Sequence, residues 1–64
     1  MYRYYLLEVY NVSNNELLYE SALMNEKTMF KMVKNFSNDY SNIDITIKIT
    51  TCNYSEPKWW LEEK

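Results

Sequence analysis

The sequence predicts an α+β fold. The expected domain is β-β-α-β, with a three-stranded, mainly antiparallel sheet in the order 2-1-3, one helix on one face and an aromatic C-terminal tail. Three observations carry that expectation. Ile43, Ile45, Ile47 and Ile49 alternate with Asp44, Thr46, Lys48 and Thr50, the two-residue period of a strand with one buried and one wet face. Met29, Val33, Phe36 and Tyr40 recur at helical spacing. The first dozen residues are apolar or aromatic on both faces of an extended chain, the pattern of a central strand with cover above and below.

Taken in order, the first strand is expected over residues 2–12. Tyr2, Tyr4, Leu6, Tyr10 and Val12 point one way, and Tyr5, Leu7 and Val9 the other. Ser13-Asn14-Asn15-Glu16 is a turn without glycine. Asn tolerates the left-handed backbone region, so Asn14-Asn15 can form a two-residue hairpin loop. The second strand, residues 16–24, then pairs Val12 with Leu17, Tyr10 with Tyr19, Glu8 with Ser21 and Leu6 with Leu23. Its other face brings Ala22 to Leu7 and Met24 to Tyr5. A one-residue slip would exchange the two faces.

A helix is expected over residues 26–38, with Asn25 as N-cap and Glu26 well placed in the first turn. Its apolar stripe of Met29, Val33, Phe36 and Tyr40 is widened by Phe30 and Met32, and it reads as a core face. The third strand, residues 43–52, offers its isoleucines to that stripe. Placed beside the first strand, it makes every neighbour antiparallel and puts the doubly apolar strand in the centre. Pro57 ends any strand before it, and Trp59, Trp60 and Leu61 form an apolar knot in the tail, residues 53–64. That knot must fold back or dock onto something else.

Sixty-four residues allow one domain. Folding a chain of this size buries only roughly 60% of its unfolded surface, and small domains usually draw support from disulfides, a metal or a second subunit. The single Cys52 cannot form an internal disulfide. With no His in the sequence, no zinc site is expected. A second protein chain is the remaining support. The apolar content of 47% and aromatic content of 17% argue against disorder. A net charge of −2 lacks the basic footprint of a nucleic-acid binder. No apolar run follows a basic N-terminal segment, and none approaches the roughly 20 residues of a membrane span. A cytoplasmic protein in a bacterial cell is therefore expected. Asn, Tyr, Lys and Ile are abundant while Gly is absent and Ala, Arg and Pro occur once each, a skew that follows AT-rich codons and suggests an AT-rich bacterium or its phage.

The chemistry-bearing residues argue against catalysis. Cys52 has no histidine to activate it and reads as a small residue at a strand end, and the serines lie in polar turns without a base. Paired carboxylates would come from Glu8, Glu16, Glu20, Asp39, Asp44, Glu62 or Glu63. Only Glu8 has apolar neighbours, Leu6 and Tyr10; burial there would raise its pKa, and a partner such as Ser21, Tyr19 or a basic group of another chain fits better than a catalytic role. Without glycine there is no phosphate-binding loop or dinucleotide fingerprint. No catalytic residue, cofactor or metal is assigned.

Protein association explains the aromatic surplus better. With the helix on one sheet face, Tyr4, Leu6, Tyr10, Tyr19 and Leu23 are left on the other, joined by Trp59 and Trp60. Tyr and Trp are enriched at interface hot spots, and monomers seldom expose apolar patches beyond a few hundred Å². Self-association into a homodimer is favoured, the alternative being that the Trp tail folds back over the patch; edge pairing is a further route to a dimer. The profile resembles the small solitary proteins of phages and mobile elements that block host machinery, anti-CRISPR and other anti-defence inhibitors among them. That likeness of size and habit implies a non-enzymatic inhibitor acting by protein–protein occlusion on a host protein, and it transfers no site residue. Two other readings stay open: a structural or assembly subunit that only oligomerises, and a single-stranded nucleic-acid-binding regulator, for which aromatic platforms exist but few basic residues lie near.

Overall fold

The computed structural model of the chain describes residues 1–61. It is an α+β domain of order β1 (Tyr2–Asn11), β2 (Glu16–Glu20), α1 (Glu26–Asp39) and β3 (Ile45–Tyr54), closed by a 3-10 turn at Trp59–Leu61. The sheet is antiparallel throughout, in the order β2-β1-β3. Its central strand is the doubly apolar one.

The hairpin differs from the two-residue loop expected at Asn14-Asn15. Asn11 pairs with Glu16, which leaves four residues in the turn. Local side-chain hydrogen bonds select the longer loop: Asn11 Oδ1 accepts from the Ser13 N–H and Asn14 Oδ1 from the Glu16 N–H, each at 3.0 Å. Asn15 takes the left-handed conformation at φ 59°, tolerable for Asn, while its N–H donates to Asn11 O at 2.8 Å. Val12 thus lies in the turn rather than opposite Leu17, and Tyr10 meets Leu17 instead of Tyr19.

A bulge then shifts the register. Val9 opposes Tyr19 and Tyr10 opposes Leu17, so Leu18 is the extra residue of β2. Tyr19 is thereby turned to the helix side, where its ring lies 5.0 Å from that of Phe36. Its expected place beside Tyr10 is overturned by that one inserted residue, for a one-residue change exchanges the faces. Beyond Glu20 the regular ladder stops. Ser21 continues it by other means: its N–H donates to Leu7 O at 2.9 Å, and its hydroxyl accepts from the Leu7 N–H at 2.8 Å. Further on, Met24 bridges to Tyr5, the pairing the sequence suggested.

Helix α1 starts where its cap predicts, with Asn25 Oδ1 accepting from the Thr28 N–H at 2.8 Å and Glu26 in the first turn. Near its far end the Ser37 hydroxyl donates back to Val33 O at 3.1 Å, a bond that weakens helical propagation, and the helix ends at Asp39. Met29 and Phe36 are buried against Tyr5, Leu7, Val9 and Met24, with Met32, Val33, Tyr40, Leu18, Ile45 and Ile47 packed around them. Phe30, expected to widen the stripe, is 60% exposed. It lies about a quarter-turn from the line through Met29, Val33 and Phe36, beyond the reach of a three-stranded sheet. Strand β3 begins and ends two residues later than expected, so Ile43 falls outside it. The helix leaves the far side of β3 thinly covered, and Ile49 stays 46% exposed.

Candidate protein-binding surface

The side of β1 away from the helix carries Tyr4, Leu6, Glu8 and Tyr10, flanked by Leu17 and Glu20 on β2 and by Thr46, Lys48, Thr50 and Cys52 on β3. Its two ends differ. At the Tyr4 end the tail crosses the sheet as a strap. Lys58 N–H donates to the Tyr4 hydroxyl at 2.7 Å, the Tyr54 ring lies 5.8 Å from that of Tyr4, and the Asn25 side-chain amide donates to Leu61 O. Asn25 therefore serves two elements at once, capping α1 with its oxygen and holding the tail with its nitrogen. Under this strap Tyr4 is only 1% exposed. Expected on the open patch, it is a buried anchor instead.

The strap docks through its backbone and leaves its indoles outside. Trp59 and Trp60 are 77% and 61% exposed, packed edge to face with ring centroids 5.6 Å apart. Lys58 Nζ lies 4.5 Å from the Tyr54 ring centroid and 5.8 Å from that of Trp60, so the cation braces the two aromatic groups. The 3-10 turn closes with the Leu61 N–H donating to Lys58 O at 2.8 Å. Both tryptophans thus sit on a backbone fixed at Tyr4 and at Asn25. Glu62, Glu63 and the rest of the tail after Leu61 lie outside the described residues.

Toward the other end the face is open. Leu6 and Tyr10 are half-buried, and Leu17 is exposed. Leu6, Leu7, Glu8, Glu20, Ser21 and Thr50 line a recess of about 180 Å³ there. Glu8 finds its partners within the chain: Lys48 Nζ at 3.8 Å and the Tyr10 hydroxyl, which donates to Oε2 at 3.1 Å. Accepting that bond, Glu8 holds the Tyr10 phenol above its ordinary pKa; desolvation and the charges of Glu8 and Glu20 push the same way. The Lys48 side chain is well exposed, so this ion pair contributes only about 0–1 kcal/mol. Cys52 lies within β3, opposite Tyr4, as a half-buried free thiol.

Of the seven residues the sequence placed at an interface, Leu6 and Tyr10 share the open face, Trp59 and Trp60 form the exposed pair, and Leu23 is half-buried beside the β2 exit. Tyr4 and Tyr19 are elsewhere, one beneath the strap and one against Phe36. Lys58 and the bridging amide of Asn25 were not anticipated, and Leu17, expected on this side opposite Val12, meets Tyr10 instead. The Asn25 bridge leaves no composition signal. Lys58 did carry one, as the lone cation between Pro57 and two tryptophans. Among the described residues no helix is long and apolar enough to cross a membrane. No family model, curated protein or solved structure matches this chain.

Proposed function

We propose that this chain is a non-enzymatic binding protein that occludes a surface of a protein target. Its most concrete form is an inhibitor of a host defence complex made by a phage or mobile element. The observation that carries the proposal is the pair Trp59 and Trp60, largely solvent-exposed on a backbone tied down at both ends. Indoles held ready in this way bury a large area on contact with little ordering cost, which is how interface anchors gain affinity. The open face with Leu6, Tyr10 and Leu17 extends the apolar surface. The AT-rich residue skew supports the phage or mobile-element setting. A nucleic-acid role has less support, because Lys58, the cation beside the tryptophans, already lies against the Tyr54 and Trp60 rings.

The test is affinity capture from host cells with the native chain and with a Trp59→Ala/Trp60→Ala variant of the same fold. The native chain is expected to retain one host protein in stoichiometric amount at high salt, and the variant to lose it. No stoichiometric partner, or equal capture by the variant, would contradict the reading. Retention on single-stranded DNA or RNA that falls steeply with salt would favour the regulator instead.

A further inference from the structure

The two edges of the sheet are built differently. Strand β2 has five residues, a glutamate at each end and a bulge at Leu18, all features that discourage pairing with another chain. Strand β3 has ten residues, pairs with β1 in unbroken register and holds neither proline nor bulge. Its single charge, Lys48, belongs to the face away from the helix and is engaged with Glu8. The direction of its free backbone groups follows from one bond. Val12 N–H donates to Asp44 O at 3.0 Å, so Asp44 addresses β1, and along an antiparallel ladder alternate residues do the same. Ile45, Ile47, Ile49, Thr51 and Asn53 therefore direct their N–H and C=O groups away from β1, along an edge that no strand covers among the described residues. The side chain at the middle of that row, Ile49, is 46% exposed.

We infer that this edge pairs with the same edge of a second copy, in antiparallel register centred on Ile49. That register is self-complementary. It sets Ile49 against the partner's Ile49, Ile47 against the partner's Thr51 and Ile45 against the partner's Asn53, so all five outward residues are matched at once. Shifting the centre to a neighbouring outward residue leaves part of the row unpaired. No like charges stand directly opposite, for Lys48 faces the partner's Thr50. The apolar side chain at the two-fold axis gains cover from its own copy. An isologous contact of this kind closes as a dimer and leaves only the guarded β2 edges outside. The result is a six-stranded sheet with both helices on one side and both tryptophan pairs on the other, a bivalent form of the binding surface.

Light scattering on the native chain at about 10 μM is expected to give twice the monomer mass, and Ile49→Lys to halve it while leaving circular dichroism unchanged. Register is read by cross-linking in a Cys52→Ser background, which needs no perturbing charge. Hydrogen-bonded antiparallel partners have Cα atoms about 5.5 Å apart, within disulfide reach. Ile49→Cys should therefore form a covalent dimer on mild oxidation. Ile47→Cys should not, because four residues of offset put the two sites roughly 14 Å apart. A native chain that is monomeric at that concentration would overturn the inference. So would a dimer that cross-links at position 47, or at neither position.

Discussion

On one side of β1, Tyr5, Leu7 and Val9 lie under α1 at 7%, 0% and 0% exposure, whereas on the other Leu6, Glu8 and Tyr10 stay half-buried although two of the three are equally apolar in kind. The difference does not originate in the strand. It follows from what is packed on each side among the described residues: fourteen helical residues cover one side, while the tail as far as Leu61 reaches the Tyr4 end of the other. Apolar character sets the demand for cover, and the available elements decide where it is met. The side left short is where a partner has most to contribute.

The strongest way to break this comparison is to truncate neighbouring leucines on opposite sides. Leu7→Ala opens a cavity in the core and should cost about 2–5 kcal/mol, a large part of a total stability of roughly 3–10 kcal/mol for a chain this size. Leu6→Ala should cost roughly 1 kcal/mol. Urea denaturation of both variants measures the contrast, and equal losses would erase it.

A smaller effect separates the two tasks of Asn25. Asn25→Asp keeps the oxygen that caps α1 but lacks the amide hydrogens that reach Leu61 O. The cap, worth about 0.5–2 kcal/mol, should survive. The tail should loosen, seen as faster amide exchange at Lys58, whose N–H is bound to Tyr4. Unchanged exchange would mean that Tyr4 alone holds the strap.

The smallest effect is alkaline. Glu8 raises the Tyr10 pKa above its ordinary 10.0, so the folded chain holds that proton more tightly than the unfolded one. The resulting stabilisation is complete below the ordinary tyrosine value and is lost as pH rises through the folded-state value. Tyr10→Phe should flatten that part of the alkaline stability curve, which stepwise thermal melts above pH 9.5 can follow. An unchanged slope would show the Glu8 hydrogen bond to be without weight.

Much of the fold was legible because its signals are periodic. Four alternating isoleucines, a stripe from Met29 to Tyr40 and a strand apolar on both sides leave few arrangements open, and the order β2-β1-β3 follows from placing the last of these in the centre. The expected cap at Asn25 was legible for the same reason, since its residue type and position match what a helix start requires. What escaped depends on single hydrogen bonds. The Asn11 and Asn14 side chains lengthen the turn, Leu18 then bulges, and Tyr19 passes to the helix side while Leu17 stays on the open one, opposite Tyr10. The tail shows the same limit. Its aromatic content announced docking, but only the bond from Lys58 N–H to Tyr4 and that from Asn25 to Leu61 decide that the backbone docks and the indoles do not.

That last distinction is the most direct test of the account, and it requires no knowledge of the partner. Equilibrium unfolding of Trp59→Ala/Trp60→Ala should give a stability within about 0.5 kcal/mol of the native chain, as for surface positions, because neither indole covers its own sheet. A loss of about 3 kcal/mol or more, the cost of truncating a buried tryptophan, would show instead that the tryptophans complete the monomer's core, and the proposed binding surface would not exist.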